Sequence, residues 1–110
     1  MKLKVLVTGG AGYIGSYTCK ALATAGYKPI VLDNVSTGHR SAVKWGPLVD
    51  ADIGHKAQVA TVVKEFGIQA AIHFAAHAYV RESIQQPQKY FHNNVTKTSA
   101  LLDSLLEAGV

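Results

Sequence analysis

The sequence predicts an α/β fold in which a parallel sheet carries helices on both faces. Three observations predict it. Short β-branched apolar runs alternate with longer stretches of helical period, the pattern of βαβ units. The first run, "KVLVT", passes directly into the glycine-rich turn "GGAGYIG". A later run, "QAAIHFAA", is apolar at successive positions, as expected of a strand covered by helices on each side.

The elements follow in order. The first strand is Lys4 to Thr8. After the glycines, Ile14, Tyr17, Thr18, Ala21, Leu22 and Ala25 recur at three- and four-residue steps, and this helix stops at Gly26. A second strand runs from Pro29 to Asp33, "NVSTGHRS" is a polar loop, and "PLVDADI" holds a short third strand. From His55 to Phe66 the spacing of Val59, Val62, Val63 and Phe66 is helical, and Gly67 ends it. "QAAIHFAA" is the fourth strand. A long helix from about Gln88 to Ala108 then places Phe91, Val95, Thr98, Leu102, Leu105 and Leu106 on one apolar stripe. There is no internal repeat and no low-complexity tract, and at 110 residues the chain is one domain at most.

Glycines this dense need a chemical reason. Gly9, Gly12 and Gly15 give the spacing G-x-x-G-x-x-G, and Gly10 adds an overlapping G-x-G-x-x-G. A pyrophosphate is bound by backbone N–H groups and a helix N-terminus, and a Cβ in that turn would hold the phosphates away. The pattern alone matches many loops, but here a strand precedes it and a helix follows it. Asp33, ending "KPIVLD", stands about 20 residues downstream, where a dinucleotide site places a carboxylate to accept from the adenosine ribose hydroxyls. That carboxylate would repel a 2′-phosphate, so NAD is favoured over NADP as cofactor. The order of elements and the glycines together describe the first half of a Rossmann-type sheet, with about four strands.

Other residues carry two readings. Asp52 in "DADI" suits an acceptor for the adenine amino group with Ile53 against the ring, or a helix cap in "DIGHK". The small residues of "HFAAHA" would let backbone approach a cofactor, and Asn93 or Asn94 would face the same edge of the sheet. His73 and His77 are four apart but belong to a strand and its loop, not to one helix, so they do not suit a metal. Cys19 reads as a packed residue without an activating partner. The net charge of +4 is scattered with no basic run and no interleaved aromatics, which argues against a nucleic-acid partner. No stretch has the roughly 18 to 20 apolar residues of a membrane helix. By Val5 the sequence is already "VLVTGG" with no leader pattern, and with a single cysteine a cytoplasmic location is expected.

"VTGGAGYIGSYTCKALATAGYKPIVLDNVSTGHRSAV", with "DADI" and "IHFAAHAYVRESIQQPQKYFHNNV", resembles the N-terminal portion of the UDP-glucose 4-epimerase family, within the extended short-chain dehydrogenase/reductases. The likeness covers essentially the whole chain. It implies pyrophosphate contacts at Gly9, Gly12, Tyr13, Ile14 and Gly15, and an adenine-ribose contact at Asp33. It also implies a loop of Asn34, Ser36, Thr37 and Gly38 beside the phosphates, and Asp52 and Ile53 at the adenine. Phe74, Ala75, Ala76 and Asn93 would line the cofactor, which is NAD. There are departures: Ala78 stands where some members carry lysine, Thr37 where asparagine is common, and Arg81 where glycine is common.

In this family a Ser/Thr and a Tyr-x-x-x-Lys pair perform the chemistry, interconverting UDP-galactose and UDP-glucose through a transient 4-keto sugar. None of the tyrosines here has a lysine four residues on, so no catalytic residue is assigned. The resemblance therefore implies residues 1–110 to be a truncated NAD-binding Rossmann domain, without the catalytic Tyr/Lys segment and the sugar-binding part, and inactive alone. Two other readings are a piece of another nucleotide-sugar enzyme, a 4,6-dehydratase or decarboxylase, and a non-catalytic dinucleotide-binding module. Ending after the helix that follows the fourth strand would leave that strand as an edge and expose apolar helix surface, so self-association is expected. For the whole enzyme the resemblance implies a homodimer.

Overall fold

The computed structural model describes residues 3–35, 39–75 and 80–110. Four parallel strands form one sheet: β1 (Lys4–Thr8), β2 (Lys28–Asp33), β3 (Leu48–Asp50) and β4 (Ala70–His73), in the spatial order β3-β2-β1-β4. The register pairs Val5 with Pro29 and with Ala70, and Val31 with Leu48. This is the first half of a doubly wound sheet, as expected.

Strand alternation assigns the two faces. Val5, Val7 and Val31 pack with Cys19 and Leu22 of helix α1 (Tyr13–Thr24) on one face. On the other, Leu6, Ile30 and Leu32 pack with Val59, Val62 and Val63 of α2 (Lys56–Phe66) and with Leu101 and Leu105 of α5 (Thr98–Glu107). Leu6, Leu32, Val59 and Leu101 are essentially inaccessible. Each such side chain contributes about 1.5–3 kcal/mol of burial, so these two layers hold the sheet and fix where its C-terminal edge lies.

Helix ends follow the sequence signals. Gly26 (φ 92°) and Gly67 (φ 66°) take left-handed conformations just after α1 and α2. The N-cap of α2 is His55, whose Nδ1 accepts the Gln58 N–H at 3.3 Å. Asp52 is therefore not the helix cap, which removes that reading of "DIGHK".

Three expectations need correction. β4 covers only Ala70–His73 and is half-exposed rather than covered on both faces, because it stands at the edge of the sheet. A short helix, α3 (Val80–Gln85), precedes the long one and was not expected. The long helix is α4 (Pro87–Phe91), a π-helical stretch (His92–Lys97) and α5 in succession, and it buries only Leu105 and part of Thr98 from the expected stripe. Leu101, Ser104 and Leu105 face inward, while Phe91, Val95, Leu102 and Leu106 are exposed. Within α5 the inward residues Leu101 and Leu105 stand one position before Leu102 and Leu106, so the buried face is turned from the expected one by roughly 100°.

Candidate site at the C-terminal edge of the sheet

β1 ends at the fully buried Thr8 and the chain turns through Gly9 to Gly12 into α1. Gly9 has φ +72°, and a Cβ there would lie 2.8 Å from the backbone of Phe74 and Ala75. At Gly15 a Cβ would meet the Gly9 carbonyl oxygen at 2.2 Å, so the helix can sit this close to the turn only without one. Gly12 differs. Among the described residues a Cβ there would meet nothing nearer than the Gly9 oxygen at 3.3 Å, a tight contact but a far milder one than at Gly15. Gly12 is the N-cap of α1, no side chain caps the helix, and its first turn holds no acidic residue. The turn is an electropositive cradle of backbone, open where Gly12 lies.

Asp33, at the end of β2, ties this turn down. Its Oδ2 accepts the Ala11 N–H at 3.0 Å and its Oδ1 the Val35 N–H at 2.7 Å. Each oxygen keeps a second lone pair. The loop returns to the turn at His39, whose N–H donates to the Ala11 carbonyl at 3.2 Å. Asn34 is next to Asp33, whereas Ser36, Thr37, Gly38 and Ala76 lie outside the described residues.

On the other side of Gly9, Thr8 organises the end of β4. Its Oγ1 accepts the Phe74 N–H at 3.1 Å and the Ala75 N–H at 3.4 Å, and lies 2.5 Å from His73 Nδ1. With its oxygen accepting twice, the hydroxyl proton goes to His73 Nδ1. The imidazole therefore carries its proton on Nε2, which donates to Thr98 Oγ1 at 3.1 Å. Burial holds the His73 pKa below the ordinary histidine value, consistent with this neutral form.

Asp52 accepts from Gly54 N–H at 2.7 Å through Oδ1 and from Lys97 Nζ at 2.6 Å through Oδ2. Ile53 is 5% exposed and belongs to the core with Leu32 and Val59. Burial in that core takes up its side chain. Asn93 is half-buried in the π stretch and donates to Asn94 Oδ1 at 3.1 Å. Tyr13 and Ile14 are exposed on the first turn of α1.

Residues 5–110 match the NAD dependent epimerase/dehydratase family. The chain belongs to that family. It is 47% identical over 106 residues to the UDP-glucose 4-epimerase of Rhizobium leguminosarum bv. trifolii, covering 96% of this chain and 32% of that protein. The Klebsiella pneumoniae UDP-glucose 4-epimerase is 38% identical, over 98% of this chain and 84% of its own. Among solved structures, UDP-glucose 4-epimerase from Brucella ovis in complex with NAD superposes with a TM-score of 0.94 at 51% identity, over 96% of this chain and 33% of that one. The chain thus spans about a third of the length of most of the relatives it matches.

Within this member of the NAD dependent epimerase/dehydratase family, the structure brings Gly9, Gly12, Gly15, Asp33, Asp52, Phe74 and Ala75 to the C-terminal ends of the strands. A concave volume of about 380 Å³ lined by Lys4, Tyr27, Lys28, Trp45 and Phe66 lies at the opposite ends of β1 and β2, away from the glycines. Cys19 is buried, and burial pushes its thiol up to about 11, so it is no nucleophile. Thr8 and Lys97 join the site only in the structure, and His73 joins it as a hydrogen-bonding residue. No local pattern marks Thr8 or Lys97, whose partners lie 65 and 45 residues away.

Proposed function

We propose that this chain is the NAD-binding part of an epimerase that interconverts UDP-galactose and UDP-glucose. The observation that carries the reading is the turn at Gly12: a helix N-terminus with no side-chain cap and no acidic residue in its first turn, tied to the Asp33 carboxylate through the Ala11 N–H. The pyrophosphate of NAD fits there against the backbone of Gly9, Gly12, Tyr13, Ile14 and Gly15. Asp33 takes the adenosine ribose with its remaining lone pairs, and Asn34 flanks it. Asp52 takes the adenine amino group, with Ile53 contributing backbone rather than side chain. Phe74, Ala75 and Asn93 line the rest, and in this reading Ser36, Thr37, Gly38 and Ala76 complete it.

When bound, NAD supplies the acceptor and donor of hydride for the sugar. The 110 residues contain no Tyr-x-x-x-Lys pair to move the sugar's hydroxyl proton, so they bind cofactor as a domain without catalysing alone. Self-association or a homodimer belongs to the same reading, as does a cytoplasmic location, which the single free, buried Cys19 supports.

Calorimetric titration of the chain with NAD and with NADP tests the proposal. Binding of NAD that weakens at least tenfold for NADP is expected, since a 2′-phosphate would face the Asp33 carboxylate. Equal binding of both, or of neither, overturns it. Interconversion of UDP-galactose and UDP-glucose by the purified 110 residues would overturn the assignment of a non-catalytic part.

A further inference from the structure

Lys97 ends the π-helical stretch and reaches across the chain to Asp52, 45 residues away, at 2.6 Å. Its stem lies over Gly54, where a Cβ would come within 2.9 Å of Lys97 Cγ and 3.1 Å of Asp52 Oδ1. The lysine is held along its length, not only at its tip. With 22% and 36% of the two side chains exposed, this pair is sheltered more than the other ion pairs among the described residues. Arg40–Asp50 and Lys56–Asp103 are both about half-exposed or more, the setting in which ion pairs contribute little.

Asp52 follows β3 at the edge of the sheet that carries the glycine turn and Asp33. Its two oxygens have fixed partners on one side each, Gly54 N–H for Oδ1 and Lys97 for Oδ2. A carboxylate so held keeps one lone pair per oxygen and has no proton to donate. Burial pushes the Asp52 carboxyl up, but the hydrogen bonds from Lys97 and Gly54 and the nearby charge outweigh it, leaving the group below its ordinary value. An acceptor fixed in this way distinguishes an amino group from a keto oxygen on a purine.

We propose that Lys97 is a positioning residue that holds Asp52 as an obligate acceptor, so that this chain selects adenine over hypoxanthine in its dinucleotide. The inference rests on the NAD-binding reading. The π stretch has a part in it, because it sets the rotational position from which Lys97 leaves the helix.

The test is calorimetric titration of the whole chain with NAD and with nicotinamide hypoxanthine dinucleotide, for the parent, Lys97→Met, Lys97→Arg and Asp52→Asn, with circular dichroism as the check on folding. Methionine keeps an unbranched stem over Gly54 and removes the charge. Parent chain is expected to prefer NAD by about tenfold or more, Lys97→Met to lose most of that ratio, and Lys97→Arg to keep it. Should Lys97→Met fail to fold, Asp52→Asn gives the same reading, because its amide also donates and the ratio is expected to fall. A ratio unchanged in a folded Lys97→Met or in Asp52→Asn overturns the inference, as does a parent that binds both dinucleotides equally well. In either case NAD binding itself stands. A parent that binds neither dinucleotide overturns the NAD-binding reading and this inference with it.

Discussion

Gly12 caps α1, Gly15 lies in its first turn and Asp33 accepts from the neighbouring Ala11 N–H, yet substitution should separate their roles. A Cβ at Gly15 would press on the Gly9 carbonyl at 2.2 Å, and Gly15→Ala is expected to cost about 1–3 kcal/mol of stability in a denaturant melt. Gly12→Ala meets the same oxygen only at 3.3 Å. It should cost clearly less stability than Gly15→Ala while weakening NAD binding about tenfold or more in the titration. The reverse pattern would mean that Gly12 serves the fold and not the ligand. Asp33→Asn replaces one accepting oxygen by a donor, so either the Ala11 or the Val35 N–H loses its partner. A loss of about 1–3 kcal/mol is expected, together with a smaller difference between NAD and NADP. These glycines and Asp33 were legible in the sequence because their spacing is local and the backbone chemistry of a phosphate turn restricts it. Lys97 was not legible, because only the folding of β3 against the long helix gives it a partner.

At the scale of elements, strands and caps could be read from periodicity and glycine, whereas the face of the long helix could not. Hydrophobic spacing assumes 3.6 residues per turn throughout, and no residue pattern in "HNNVTK" announces a π stretch. The expected stripe of Phe91, Val95, Thr98, Leu102, Leu105 and Leu106 is buried only in part: Leu105 enters the core beside Leu101, while Phe91, Val95, Leu102 and Leu106 are exposed. Besides the strand pairing and the core around Leu6, Leu101 and Leu105, the chain Thr8–His73–Thr98 links β1, β4 and α5. It needs a neutral imidazole, since Nδ1 must accept from Thr8. The folded pKa of His73 lies below its ordinary value, while the unfolded imidazole binds a proton near pH 6.5. Below that pH the unfolded state binds more protons, so stability falls as pH drops from about 6.5 towards the folded pKa and is level above it. Denaturant melts at pH 7.5 and 5.5 should show this loss, and His73→Gln should reduce its slope. An unchanged slope in the variant would assign the pH dependence to the other histidines.

For the molecule as a whole, the sheet order leaves β4 with one side unpaired among the described residues, and a strand edge along Ala70–His73 presents N–H and C=O groups there. Exposed apolar side chains lie on the long helix as well, with Leu102 55% and Leu106 73% accessible beside Phe91 and Val95. Tyr13, Ile14 and Tyr17 add a second exposed group on α1. Sheet edge and helix surface differ in what relieves them: strand pairing uses backbone, whereas helix packing needs these particular side chains. Multi-angle light scattering across a concentration series should therefore show self-association of the parent chain. Leu102→Glu with Leu106→Glu should shift it to monomer at little cost in stability, because neither side chain is in the core. Association that survives the double substitution would place the contact at the β4 edge. A parent that stays monomeric at high concentration would mean that neither surface drives assembly in these 110 residues.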